Sequence, residues 1–293
     1  MKIEKWQALG NDYLILEQES LPWDLSGARI RRLCDPHFGL GADGICLVSA
    51  GEGDAVARVA IFNPDGSRAE ISGNGVREAA LYLHSHGRTG GDTFTIETDA
   101  GTVSPEVLSG GLARVDMGRA STASDSYPTG DVSGRGEIDV GGLRWGFQFV
   151  SIGNPQCAIE VESGLDELDL AALGPGIEGA DLFPNRTNVS FWTRVSDHET
   201  GSRIRARIFE RGVGETLSSG TGASGAAVAA VLGGVRSPVE VELDGGTLTV
   251  EVGEDLGITL TGWASMVYSA EISEALLSEL EEETEPPRLT GTS

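Results

Sequence analysis

The chain is poor in positive charge. Lysine occurs only at positions 2 and 5, and Lys plus Arg number 21 against 45 Asp plus Glu, a formal net charge of −24. A surface this acidic repels phosphate backbones, so nucleic acid is not an expected partner. The same bias fits a GC-rich genome or a salt-adapted host. Cysteine is scarce. Cys34, Cys46 and Cys157 are too few for a disulfide framework, which makes a reducing, cytoplasmic location the default. All three lie in apolar segments and read as buried, inert thiols. Long apolar runs are missing. The longest, residues 223–232, is broken by Ser224 and Gly225 and is too short to span a bilayer. The first twelve residues, MKIEKWQALGND, carry acids and no apolar core, so no secretion signal is expected. The four histidines, His37, His84, His86 and His198, have no metal-ligand spacing, and no metal is expected.

What is present is a chain of 293 residues, 39% hydrophobic, with 42 glycines spread between short β-type runs. That length suits one large domain or two of about 150 residues. The runs predict strands at 3–8, 13–16, 45–48, 57–62, 93–97, 113–117, 145–152, 157–161, 188–192, 203–209, 239–243, 247–252, 258–261 and 266–272. Helices are predicted at 25–33 with Asp24 as N-cap, and at 74–86, 165–173, 221–232 and 273–281. Residues 121–136 read as a loop. Many strands with few helices argue for an α+β fold.

An internal repeat organises the chain. Phe62 aligns with Phe209, Ser72-Gly73-Asn74-Gly75 with Ser219-Gly220-Thr221-Gly222, and Ala79-Ala80 with Ala226-Ala227. The offset is 147 residues throughout (209 − 62, 219 − 72, 226 − 79). Each copy reads strand, acidic Gly-containing loop, S-G-x-G, then a small-residue helix. Two similar halves suggest a pseudo-twofold molecule with a ligand cleft between them.

A Gly-rich loop that opens a helix presents free backbone N–H groups and the positive end of the helix dipole. Such a terminus binds carboxylate or phosphate, and glycine allows close approach. Two such termini facing one amino acid would place Ser72 and Ser219 on opposite sides of it. That suits inversion of a carbon next to a carboxylate, where one face loses a proton and the other gains one. The run from Gly220 through Gly222 to Gly225 also matches G-x-G-x-x-G. A dinucleotide site is disfavoured, because ten residues separate the run from the strand ending at Phe209.

At these loops the sequence resembles the diaminopimelate epimerase family, within the cofactor-independent amino-acid racemases and epimerases. The resemblance runs along nearly the whole chain. It includes residues 9–13 (LGNDY), 38–44 (FGLGADG), 62–67 (FNPDGS), 72–75 (SGNG), 153–155 (GNP), 186–189 (RTNV), 209–216 (FERGVGET), 220–222 (GTG) and 261–262 (TG). It implies two similar domains, each a mixed barrel-like sheet around a central helix. The first would hold 1–117 with 264–283, the second 118–263, and 284–293 would be a disordered tail. It implies conversion of LL-diaminopimelate to the meso form, for lysine and cell-wall synthesis, without metal or pyridoxal phosphate. Asn11, Asn63, Asn154, Asn188 and Arg211 match positions that hold the distal amino-carboxylate end of the substrate. Gly73-Asn74 and Gly220-Thr221 match the loops that grip the reacting carboxylate. A homodimer is implied, with Tyr268 resembling an interface position.

Five positions depart from the family pattern. The two catalytic bases of the family are cysteines directly before each G-x-G, where this chain has Ser72 and Ser219. The histidine after Gly-Asn-Pro is here Gln156, and the N-terminal His-Gly-Leu-Gly-Asn-Asp is here Gln7-Ala8-Leu9-Gly10-Asn11-Asp12. A free thiol has a pKa of about 8.5, whereas an alkyl hydroxyl lies near water, roughly 15.7. The gap of about seven units corresponds to about 10 kcal/mol. A helix N-terminus supplies only about 0.3–2 kcal/mol of it. The serines therefore need a neighbouring base. Glu210 is the first candidate, with Asp65 and Glu215 behind it, and a hydroxyl can also relay a proton to a carboxylate. Three readings stay open at this point. They are an epimerase with an altered acid–base set, a sister isomerase or dehydratase, and a non-catalytic amino-acid-binding homologue or a chain with both thiols replaced to trap a complex.

Overall fold

The computed structural model describes residues 1–69 and 72–282. The expected disordered tail, 284–293, lies outside them. The chain divides into two compact units, Met1–Ala113 joined by the chain from Ala264 onward, and Arg114–Trp263.

The first unit holds β1 (Lys2–Ala8), β2 (Asn11–Glu17), α1 (Gly27–Cys34), β3 (Gly44–Ser49), β4 (Ala55–Phe62), β5 (Arg68–Ala69), α2 (Gly73–Ser85), β6 (Thr95–Thr98), β7 (Gly101–Val103) and β8 (Glu106–Leu108). Strand β9 (Leu112–Arg119) carries the chain into the second unit, and both the expected break after 117 and the observed one after Ala113 fall inside it. There follow β10 (Arg135–Val140), β11 (Leu143–Ser151), β12 (Pro155–Glu160), α3 (Leu170–Glu178), β13 (Asn188–His198), β14 (Gly201–Glu210), β15 (Gly214–Thr216), α4 (Gly220–Leu232), β16 (Val239–Leu243), β17 (Gly246–Val252) and β18 (Gly257–Trp263). The chain returns to the first unit through β19 (Ser265–Glu271) and α5 (Glu274–Glu282).

The repeat seen in the sequence is a repeat of topology. The first sheet runs β19-β1-β2-β3-β4-β6-β7, with β5 on β4. The second contains β10-β11-β12-β13-β14-β16-β17 in the same arrangement, with β15 on β14. The senses agree pair by pair. β2–β3 and β12–β13 are parallel, β4–β6 and β14–β16 are parallel, and the intervening pairs are antiparallel. Register agrees at the 147-residue offset, since Phe62 faces Arg68 on β5 and Phe209 faces Glu215 on β15. Both sheets are therefore mixed, and the fold is α+β, as expected.

Each sheet closes over one helix. Every residue of α2 from Gly73 to Leu83 is buried. Helix α4 is made almost wholly of Gly, Ala, Ser and Val, and it packs against β11 to β14 and β16 to β18. A helix apolar on all sides must be enclosed, and small side chains let the strands come close. In the second unit Tyr127, Phe147, Phe149 and Phe183 form an aromatic cluster within the core that also buries Leu170 and Ile177 of α3.

All fourteen expected strands lie on observed ones. Five further strands, β5, β7, β8, β10 and β15, have two to six residues each. They are held by pairing with longer neighbours rather than by their own propensity. Strand β10 takes the last two residues of the expected loop at 121–136. Helix α1 is capped by Ser26, whose Oγ accepts from Arg29 N–H at 3.2 Å, and not by Asp24. Helix α3 starts five residues later than expected, because Asp169 Oδ1 accepts from Ala172 N–H at 3.1 Å and caps it there.

Candidate active site

In the first unit the site is built from the β1–β2 turn and the start of α2. Leu9 (φ 55°) and Gly10 (φ 86°) are both left-handed, as a tight two-residue hairpin requires, and Ala8 pairs with Asn11 across it. This sets Asn11 at the head of β2. Its Nδ2 donates to Asp43 Oδ2 (3.1 Å), which also accepts the Asp12 backbone N–H (3.0 Å). Lys5 Nζ sits 3.0 Å from Asp12 Oδ2 and donates to Gly41 O. Asn74 Nδ2 donates to Asn11 Oδ1 at 3.1 Å, so two of the expected binding residues are in direct contact. Behind them, fully buried Arg77 donates from Nη2 to Asn74 Oδ1 (2.6 Å) and from Nη1 to Gly73 O (3.1 Å). Burial lowers the Arg77 guanidinium to about 10, with neighbouring Glu78 pulling the other way. Asn63 belongs to a separate turn, where its Nδ2 donates to Ser67 Oγ at 2.9 Å.

Ser72 is the N-cap of α2, and its Oγ accepts from Gly75 N–H at 3.1 Å. The Tyr13 hydroxyl donates to the same oxygen at 3.2 Å. The expectation of a Gly-rich loop opening a helix is thus sharpened. Serine itself terminates the helix, and the amide of Gly73 has by position no acceptor within it. A Cβ on Gly75 would meet Ile61 Cδ1 at 3.1 Å and Cys46 Sγ at 3.2 Å, which explains the small residue there.

The second unit repeats this arrangement with different side chains. Ser219 is buried and caps α4, its Oγ accepting from Gly222 N–H at 3.2 Å. Asn154 Nδ2 donates to Thr221 Oγ1 (3.2 Å), and Gln156 Nε2 donates to Asn154 Oδ1 (2.8 Å). Gln156 is fully buried, and a Cβ on Gly225 would strike it at 2.9 Å. Asn188 Oδ1 accepts from Arg211 N–H (2.8 Å) and its Nδ2 donates to Pro155 O (3.2 Å). Arg211 Nη1 donates to Asn185 O at 2.9 Å. Glu210 Oε1 accepts from Thr216 Oγ1 at 2.8 Å.

All three carboxylates considered as bases have partners, Glu210 through the Thr216 hydroxyl. Glu215 lies 2.7 Å from Arg207 Nη2. Hydrogen bonds from the Ser67 side chain and backbone hold Asp65 below the usual carboxylate range, which makes it a weaker base. Tyr13, Asp43 and Arg77 join the site without a role expected from the sequence. A usable signal existed for Arg77: a charge inside a helix run otherwise rich in small apolar residues has to be buried and partnered.

Comparison with known proteins places these features in a family. A family model described as diaminopimelate epimerase matches residues 4–123 and 148–267. A diaminopimelate epimerase from Synechococcus sp. (strain JA-2-3B'a(2-13)) is 39% identical over 281 residues, covering 92% of this chain and 97% of that protein. One from Pelotomaculum thermopropionicum is also 39% identical, over 92% of this chain and 98% of that one. Among solved structures, a hydroxyproline epimerase from Agrobacterium vitis has a TM-score of 0.63 at 16% identity, covering 93% of this chain and 90% of that one. A phenazine biosynthesis protein of the PhzF family from Bacillus anthracis has a TM-score of 0.62 at 17% identity, covering 93% and 99%. These structural likenesses concern the fold.

Proposed function

The chain belongs to the diaminopimelate epimerase family, and on that footing we propose that it inverts one α-carbon of LL-2,6-diaminopimelate to give the meso form, using hydroxyls and a carboxylate where its relatives use thiols. A base takes the α-hydrogen as a proton from one face, and the electron pair is held against the substrate carboxylate. A donor on the other face then returns a proton. The first-turn amides of α2 and α4 hold that carboxylate as its charge grows. Asn11, Asn63, Asn154, Asn188 and Arg211 hold the distal amino-carboxylate end. No cofactor takes part.

The observation that carries this reading is the matched placement of the two serines. Ser72 and Ser219 cap equivalent helices of a duplicated topology, at the same offset, each bound to the third helical amide. Ser72 is assigned as proton donor. Its oxygen accepts from Gly75 N–H and Tyr13 O–H, so the proton it gives is replaced from the Tyr13 hydroxyl and no free alkoxide is left. Two such bonds to a charged oxygen contribute about 1.5–3 kcal/mol each and do not close the gap of about 10 kcal/mol to a thiol, so a carboxylate must be the base. Glu210 takes that role, with Ser219 as its relay. The test is incubation with LL-diaminopimelate in D2O. Loss of the α-proton signal is expected, and no exchange above the buffer rate at high protein concentration overturns catalysis.

One observation favours a second reading, an amino-acid-binding protein without turnover: each serine oxygen is engaged by its own helix. Calorimetric titration with LL- and meso-diaminopimelate separates the two, since tight binding without deuterium uptake supports the second. We further propose a cytoplasmic homodimer, its contact centred on β19. That strand lies at a sheet edge with Met266 and Val267 half exposed beside Tyr268. Light scattering tests the dimer.

A further inference from the structure

We infer that Glu178 is the positioning residue for the part of the second unit that takes the distal end of the substrate; the inference rests on the functional reading above. Glu178 is the last residue of α3 and is 4% exposed. Its Oε1 accepts from the Gly212 backbone N–H at 2.7 Å and lies 2.6 Å from Arg186 Nη2. Its own carbonyl accepts from Thr187 N–H at 3.1 Å. One residue thus joins three segments: the end of α3, the 185–188 loop that leads to Asn188, and the turn that follows β14 and begins at Arg211.

The joined segments are also the ones that need holding. Arg186 has φ 57°, a left-handed conformation that a side chain with a Cβ seldom adopts. Such backbone persists where surrounding contacts over-determine it, and it gathers at functional sites. Here the contacts are visible. Arg186 N–H donates to Phe183 O at 2.8 Å, Phe183 is locked in the aromatic cluster, and Thr187 is tied to Glu178 on the other side. Arg211 N–H then closes onto Asn188 Oδ1, and the Arg211 side chain onto Asn185 O. The Glu178 carboxylate sets the distance between the two strands of this clasp. A charged acceptor suits the task, because bonds from Arg and from backbone N–H to an ionised carboxylate are shorter and stronger than neutral ones.

This arrangement makes Glu178 specific to the distal end. The experiment is calorimetric titration of the full chain with meso-diaminopimelate and with norleucine, which has the reacting amino acid but no distal amino-carboxylate. Glu178→Ala is expected to raise the Kd for diaminopimelate by at least about tenfold, the worth of one hydrogen bond to a charged group. The Kd for norleucine is expected to stay unchanged. Glu178→Gln keeps an acceptor for Gly212 and loses the charge facing Arg186, so its Kd for diaminopimelate falls between. If Glu178→Ala does not fold, Glu178→Gln decides by the same contrast. Equal loss for both ligands shows a merely structural role and overturns the inference, as does an unchanged Kd for diaminopimelate. A wild-type chain that does not bind diaminopimelate overturns the functional reading, and this inference with it.

Discussion

The two units share strand order, pairing senses and serine caps, yet their central helices are built differently. In α2 the fourth and fifth residues after the cap's first glycine are Arg77 and Glu78, both buried. At the same offset in α4 stand Ser224 and Gly225. One bond is common to both. Arg77 Nη1 donates to Gly73 O, and Ser224 Oγ donates to Gly220 O at 2.8 Å. Arg77 reaches further and orients the Asn74 amide, which orients Asn11. In the second unit the corresponding ordering falls to neutral groups, Gln156 acting on Asn154 and Asn154 on Thr221. Duplication has kept the backbone task and let the side chains diverge, so one half grips through a buried charge and the other through amides and hydroxyls.

The largest expected effect tests the caps themselves. Replacing Ser72 and Ser219 together by Cys is expected to raise α-proton exchange in D2O by about 10²–10⁴-fold, the range supplied by a positioned acid or base. Single replacements tell which unit limits proton transfer, and no gain in any variant would place the limit at other residues. Next comes the buried charge. Arg77→Ala removes the guanidinium bonds to Asn74 Oδ1 and Gly73 O and the charge beside Glu78, and is expected to cost about 3–5 kcal/mol in urea unfolding. Ser224→Ala is expected to cost about 1 kcal/mol. Equal losses would break the contrast between the helices.

The smallest expected effect is one of pH. Burial pushes the Glu78 carboxyl well above its ordinary 4.5, against the opposing pull of Arg77. Among the described residues neither of its carboxyl oxygens meets the geometry of a hydrogen bond. A carboxyl with a raised folded-state pKa binds its proton more tightly in the native state. Its contribution is therefore full below the ordinary carboxylate range and declines as pH rises toward the folded value. Glu78→Gln is neutral throughout, so it should gain on the parent chain as unfolding is measured from about pH 4 to 8. Parallel stability curves would refute this.

The repeat, the family and the two glycine loops that open α2 and α4 were legible in the sequence because they answer backbone demands. A left-handed turn at Gly10, a glycine loop opening a helix and an enclosed helix each require particular residue types at fixed spacing. The fine placement of α1 and α3 was not legible, since Asp24 and Ser26 are both competent caps and tertiary packing chose between them. Glu178 was not legible either. Its partner Gly212 is 34 residues away in sequence, and nothing in the local pattern of α3 announces that its last side chain turns inward.

Seating oxygen instead of sulfur on the two caps also decides how the folded protein meets oxidants. Its three sulfhydryls, Cys34, Cys46 and Cys157, are all buried. Burial pushes Cys34 up to about 12, with Asp12 and Asp43 adding to the shift, and raises Cys46 and Cys157 as well. None presents a thiolate near neutrality, and thiolate character governs both alkylation and the first step toward sulfenic acid. Iodoacetamide and peroxide, which silence active sites by attacking a thiolate, therefore find no thiolate to attack in the folded protein.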